Sequence, residues 1–133
     1  TMMRAFQNLL NVLRLPDDYH KKTYGIPVVN AGHIAHLCRS DYERFLNLCN
    51  TEMLGIDDMG TEPLEVQEFG NIHRPMVDLL TKRYENGTFT FITTNLVPQQ
   101  IRDLYGERIA DRLNEMADKI IFKNPSFRSW RHG

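Results

Sequence analysis

Short apolar runs rich in β-branched residues alternate along this chain with stretches of helical period. That order points to an α/β domain with a mostly parallel sheet and right-handed crossovers. The clearest strand is Thr88 to Thr93, TFTFIT. Others are expected at Ile26 to Asn30, at Met53 to Ile56 and at Lys119 to Phe122. Pro27 marks the first of these as an edge strand or one that starts late. Met2, Phe6, Leu9, Leu10 and Leu13 recur at helical spacing over residues 1–13 and describe an amphipathic helix that begins without a cap region. Residues 15–24, with Pro16, Asp17 and Asp18, read as a loop.

Between the strands, residues 31–38 and 40–49 read as two short helices, the second capped by Ser40 with Glu43 three residues on. Residues 59–70 read as a polar loop. A helix is expected from 71 to 86, with Ile72, Met76, Leu79, Leu80 and Tyr84 on one face, Pro75 in its first turn and Asn86-Gly87 as its stop. Pro98 opens a helix to Tyr105, Gly106 ends it, and a further helix spans 107–116.

The 133 residues suffice for one domain, and 16 basic against 17 acidic side chains leave a net charge of −1. No global basic field announces nucleic acid, so a DNA contact needs a local patch. No run of about 18 apolar residues offers a membrane span. The opening residues lack the apolar core and cleavage site of a signal peptide, and Cys38 and Cys49 form no CxxC pair. A reduced, cytoplasmic setting is expected.

In parallel sheets of this kind the chemistry gathers at the carboxyl ends of the strands. Asp57-Asp58 follows one apolar strand and Thr94-Asn95 the next. Two acids at a strand tip suit a Mg²⁺–nucleotide site, one holding the hydrated metal and the other orienting or deprotonating water. A strand running into a polar turn would read the same. Asn95 is placed to position a lytic water or touch a γ-phosphate, and it equally suits a turn. Arg108 and Arg112, four residues apart on one helix face, fit either a solvated face paired with Glu107 and Asp111 or an arginine finger offered to a neighbouring subunit. Lys123, Arg128 and Arg131, interleaved with Phe127 and Trp130, form a small basic-aromatic tail. His33, His36 and Cys38 have metal-ligand residue types, but no fourth ligand accompanies them.

Taken in order, LGIDDMGTEPLEVQEFGN, LLTKRYENGTFTFITTNL, IRDLYGERIADRLNEMADKIIF and PSFR resemble the AAA+ ATPases of the DnaC/IstB type, which are helicase loaders and transposition helper ATPases. The match covers about residues 51–128. The resemblance implies a P-loop NTPase fold, a three-layer αβα arrangement with a mostly parallel sheet, over residues 1–133 as a partial AAA+ domain. It makes Asp57 the metal residue and places Asp58 where most such proteins carry a catalytic Glu, one methylene longer. It makes Asn95 the sensor-1 residue and Arg112 the arginine finger, with Arg108 a second candidate. Ser126 and Arg128 match a terminal Ser-x-Arg whose arginine reaches the nucleotide. The phosphate-binding GxxxxGK[ST] loop is not found, and no Gly-Lys pair occurs in the chain. In register with the family's first helix, Thr1 is that loop's Thr or the residue after it, and the preceding strand, central in the fold, is missing as well. The expectation is ATP and Mg²⁺ as cofactors of a longer parent, with this chain alone binding ATP poorly or not at all. The partners implied are further copies of the chain and a replicative helicase or a transposase. The competing reading is a non-enzymatic interaction module on a degenerate AAA+ fold, with a domain swap or another segment filling the gap in the sheet.

Overall fold

The computed structural model describes residues 27–116 and the backbone of 120–122. The expected helix over 1–13, the loop over 15–24, and Thr1, Lys123, Ser126, Phe127, Arg128, Trp130 and Arg131 lie outside the described residues. The elements are β1 (Val28–Asn30), α1 (Ala31–Ser40), α2 (Tyr42–Asn50), β2 (Met53–Met59), β3 (Val66–Glu68), β4 (Asn71–His73), α3 (Pro75–Asn86), β5 (Phe89–Thr94), α4 (Pro98–Tyr105), α5 (Glu107–Glu115) and β6 (Ile120–Phe122). Among the described residues no helix is long and apolar enough to cross a membrane.

Four strands form one sheet in the order β1-β2-β5-β6, with every pairing parallel. The α/β expectation holds. Each connection moves one strand further in the same direction, so right-handed crossovers put the connecting helices on one side of the sheet. The helices pack accordingly: α1 and α2 against each other and against α3, and α3 against α5, which also packs on α4. The described residues therefore make up two layers, one helical and one of strands. β6 is bonded directly to β5, with Thr90 opposite Ile120 and Ile92 opposite Phe122. Among the described residues no gap separates β5 from β6, where the missing central strand is expected, and β6 is an edge strand.

Local chemistry sets the helix ends. The first strand begins at Val28, one residue after Pro27, and is an edge strand as expected. Asp41, not Ser40, caps α2, its carboxylate accepting the Arg44 N–H at 3.3 Å, while Ser40 closes α1. α3 starts at Pro75 rather than 71, because the residue before a proline is held out of the helical region and Arg74 sits at φ −114°, ψ 89°. It ends on Gly87 at φ 66°, the left-handed conformation that glycine adopts without strain.

The stretch expected to be polar loop and first helical turn is a hairpin instead. β3 and β4 pair antiparallel, Val66 opposite His73 and Glu68 opposite Asn71. Phe69 and Gly70 turn the chain at φ 51° and 81°, the signs that a two-residue hairpin turn of the primed type requires. Phe69 is 96% exposed and Ile72 60%. Ile72 thus belongs to the hairpin surface, not to the buried face of a helix.

Ile34, Phe45, Leu54, Ile56, Leu79, Leu80, Ile92 and Ile101 form the centre of a single core. Cys38 and Cys49 are buried in it, and burial pushes both thiols up to about 11, so they stay protonated at neutral pH. Arg83 lies fully buried near Cys49. Its Nε donates to Thr90 Oγ1 at 2.8 Å, one terminal nitrogen donates to Leu48 O at 2.9 Å and Thr51 O at 2.7 Å, and the other donates to Phe89 O at 2.6 Å. Leu48 O and Thr51 O lie at the carboxyl end of α2, where a cation is favoured. Loss of solvent brings the guanidinium down to about 10, leaving it charged at neutral pH.

Two outcomes follow for equilibrium urea denaturation. Arg83→Met strands three carbonyls and a threonine hydroxyl and should cost on the order of 3–5 kcal/mol. Phe69→Gly removes an aromatic residue from a left-handed conformation it supports at a cost, and should raise stability by about 0.5–1 kcal/mol after the added flexibility of the unfolded chain is offset.

Candidate active site

The carboxyl ends of β1, β2 and β5 lie side by side. Asn30 pairs with Asp57 across the first two strands, and Ile56 pairs with Ile92 across the second two. Beyond Ile56 the register slips, and the next pair is Met59 with Thr94. Two residues of β2, Asp57 and Asp58, therefore face one residue of β5, Thr93. This is a β-bulge, a device that re-aims side chains and is common beside active sites. The acids expected after the strand are thus part of it, and β2 resumes beyond them with buried Met59.

Thr93, itself buried, holds both acids. Its hydroxyl donates to Asp57 Oδ1 at 2.5 Å and accepts the Asp58 N–H at 3.0 Å. Asp57 is half-buried and Asp58 exposed. Asp58 sits at φ 57°, which costs on the order of 1 kcal/mol for a residue with a Cβ and is tolerated best by Asn and Asp. Thr94 fixes the next step: its hydroxyl donates to Met59 O at 2.5 Å and accepts the Leu96 N–H at 3.0 Å. Asn95 follows, exposed, its carboxamide without a hydrogen-bond partner among the described residues. Asn30 is committed elsewhere, its side chain accepting the Gly32 N–H at 2.8 Å as the cap of α1.

The loop that follows is drawn back over this edge. Asp58 O accepts from the Thr61 N–H at 3.3 Å and from its hydroxyl at 2.8 Å. Gly60, at φ 110°, lies so close to Leu96 that a Cβ there would stand 2.8 Å from its side chain. Glu62 is buried: one carboxylate oxygen accepts the Gly60 N–H at 2.7 Å, and the other accepts the Tyr105 hydroxyl. Desolvation and that bond push the Tyr105 hydroxyl well above the usual phenol range, so it remains a donor.

Among the described residues no group of three or more His, Cys, Asp and Glu side chains could hold a metal, and this includes His33, His36 and Cys38. Mg²⁺ shared with phosphate oxygens and water asks for less, one or two carboxylates. Asp57, whose second oxygen has no partner among the described residues, and Asp58 meet that requirement.

The arginines occupy a different part of the molecule. Arg112 donates to Thr81 Oγ1 at 3.1 Å and lies 5.1 Å above the Tyr84 ring, whose hydroxyl donates to Glu115. α3 runs antiparallel to the strands it connects, so Thr81 and Tyr84, in its second half, lie toward the amino ends of those strands. Asp57 lies at the carboxyl ends. Arg108 is exposed and makes no hydrogen bond or ion pair among the described residues. The expected pairing of Arg108 and Arg112 with Glu107 and Asp111 is not formed. Together with Tyr84 and Glu115 these four line an open cavity of about 410 Å³.

No protein-family model matches this chain, and no curated protein and no solved structure matches it.

Thr93, Glu62 and Tyr105 were not singled out by sequence reasoning. Thr93 lies in the Thr-Thr-Asn signal at the end of a strand whose pattern is plain. Glu62 gives no signal at all, since a glutamate in a polar stretch looks solvated. Thr93→Val keeps the shape and removes the hydroxyl shared by Asp57 and Asp58. It should lower stability by about 1–2 kcal/mol in urea unfolding, and Thr93→Ser should recover most of it.

Proposed function

We propose that this chain is part of the nucleotide-hydrolysing domain of an oligomeric AAA+ ATPase of the helicase-loader kind. The observation that carries the reading is the two-for-one bulge that sets Asp57 and Asp58 against Thr93, two residues before Asn95, at the carboxyl edge of neighbouring parallel strands. Asp57, fixed by Thr93, holds the hydrated Mg²⁺. Asp58 orients or deprotonates the attacking water, and Asn95 positions that water against the γ-phosphate. Mg²⁺ supplies charge neutralisation on the phosphates when bound. Arg112 and Arg108 serve the site of the next subunit, which fits their place on α5, away from Asp57 in the same chain. Of the two, Arg108 has its guanidinium free of partners among the described residues, while Arg112 first has to leave Thr81 and Tyr84. Thr1 and Arg128 complete the nucleotide contacts in this reading. The glycine-lysine cradle for the β- and γ-phosphates is not contained in these 133 residues. The partners are further copies of the chain and a replicative helicase, or a transposase if the protein is a transposition helper, in the cytoplasm, with any DNA contact made by a local patch.

A second reading, a non-enzymatic interaction module on the same fold, draws on the hairpin with exposed Phe69 and Ile72.

ATP turnover by the full-length protein separates the two. In the first reading it hydrolyses ATP with Mg²⁺, Asp57→Ala lowers turnover by about 10²-fold or more, and loss of the finger arginine, tested as Arg112→Ala and Arg108→Ala, lowers it by about 10³-fold. Mixing the arginine variant with Asp57→Ala restores part of the activity, because some interfaces then join an intact acid pair to an intact arginine. Absence of ATP binding and turnover leaves the interaction module.

A further inference from the structure

Glu62 is a buried carboxylate with no cation within ion-pair distance among the described residues. Such a group is kept in the interior by the hydrogen bonds it accepts. Its two partners set it apart. The Gly60 N–H belongs to the turn directly after Met59, which is tied to Asp58 O through Thr61. The Tyr105 hydroxyl belongs to the last residue of α4, and one residue later Gly106, at φ 101°, turns the chain into α5. α5 carries Arg108 and Arg112. A single carboxylate thus ties the loop behind the acid pair to the corner from which the arginine helix departs.

We infer that Glu62 and Tyr105 are positioning residues: their hydrogen bond fixes the angle at which α5 presents its arginines to the neighbouring subunit, with the acid edge of the same chain as the reference. The inference rests on the interface-ATPase reading. Both residues are buried, away from the exposed edge where Asp58 lies. The Tyr105 ring is buried in the core, so the hydroxyl is the only part whose loss leaves the packing intact. The bond crosses 43 positions of sequence and is made at the α4–α5 corner, one residue before Gly106 turns the chain at φ 101°. Packing of Ile109, Ala110 and Leu113 seats α5 on the core, and the Glu62–Tyr105 bond sets where its first residue starts.

The test is ATP turnover by the full-length protein carrying Tyr105→Phe, alone and mixed with Asp57→Ala or Arg112→Ala. The inference expects kcat to fall about tenfold with KM for ATP within twofold of wild type. It expects recovery on mixing with Asp57→Ala, which supplies the arginine side, and none on mixing with Arg112→Ala. Tyr105→Phe alone leaves one Glu62 oxygen without a partner, so the double variant Glu62→Gln/Tyr105→Phe also removes the buried charge and keeps an acceptor for the Gly60 N–H. It should show the same loss and the same recovery. Turnover of both variants within twofold of wild type overturns the inference and leaves the ATPase reading standing. So does recovery with Arg112→Ala instead of Asp57→Ala, which would place the defect on the acid side. A wild-type protein without turnover overturns both.

Discussion

Arg83 is charged at neutral pH and has no contact with water, and the molecule is arranged so that it can be both. Burying a guanidinium is tolerable only when its donors are met. Its acceptors come from two elements: the end of α2, through Leu48 O and Thr51 O, and the start of β5, through Phe89 O and the Thr90 hydroxyl. Arg83 itself sits on α3. Satisfying it therefore fixes where α2 stops, how far α3 lies from the sheet and where β5 enters. The Phe89 N–H donates to Glu52 O at 3.1 Å in the same neighbourhood, so the amino ends of β2 and β5 are aligned there. The apolar core supplies the driving force for collapse, but it is non-directional, and it is the guanidinium that selects one arrangement of these elements.

With the amino ends aligned, the register is forced up to Ile56 and Ile92, and the irregularity falls at the carboxyl ends. A regular ladder there would send Asp57 and Asp58 to opposite faces of the sheet, as successive strand residues go. The bulge gives both acids one partner in Thr93, at the cost of a left-handed Asp58. Regular pairing below and an extra residue above divide the strand into a structural half and a half that can do chemistry. The loop beyond is closed by Glu62, so the order imposed at Arg83 reaches Tyr105 and the foot of α5 through a chain of hydrogen bonds.

What the sequence disclosed follows from how local each feature is. Pro98, Gly106, Asn86-Gly87 and the TFTFIT run act through their own backbone preferences, and the elements fall where those residues put them. The alternation of strand and helix carried the parallel sheet with it. The hairpin was hidden because Phe69-Gly70 is not one of the favoured turn pairs and because Val66 to Glu68 has a single strongly apolar residue. The Lys82-Arg83-Tyr84-Glu85 stretch looks like a solvated helix face, and only the fold shows that Arg83 points inward. The acid pair was legible as chemistry but not as geometry, since periodicity marks the end of an apolar run and carries no sign that the strand continues. The placement of Arg108 and Arg112 on one face was readable from their spacing. That Arg112 would be held by Thr81 and Tyr84, 31 and 28 positions earlier, was not.

The partners of Arg83 are carbonyl oxygens and a threonine hydroxyl, none of which changes its charge between strong acid and strong base. Ion pairs that join elements elsewhere in proteins fail when their carboxylates are protonated, and weaken as counterions accumulate. The junction of α2, α3 and β5 has no carboxylate to lose and no water through which added salt can screen it. Added acid and salt reach the solvent-exposed carboxyl edge of the sheet, while the Arg83 junction beneath it stays indifferent to both. Conditions in the surrounding solution can therefore retune the edge without loosening the frame that carries it.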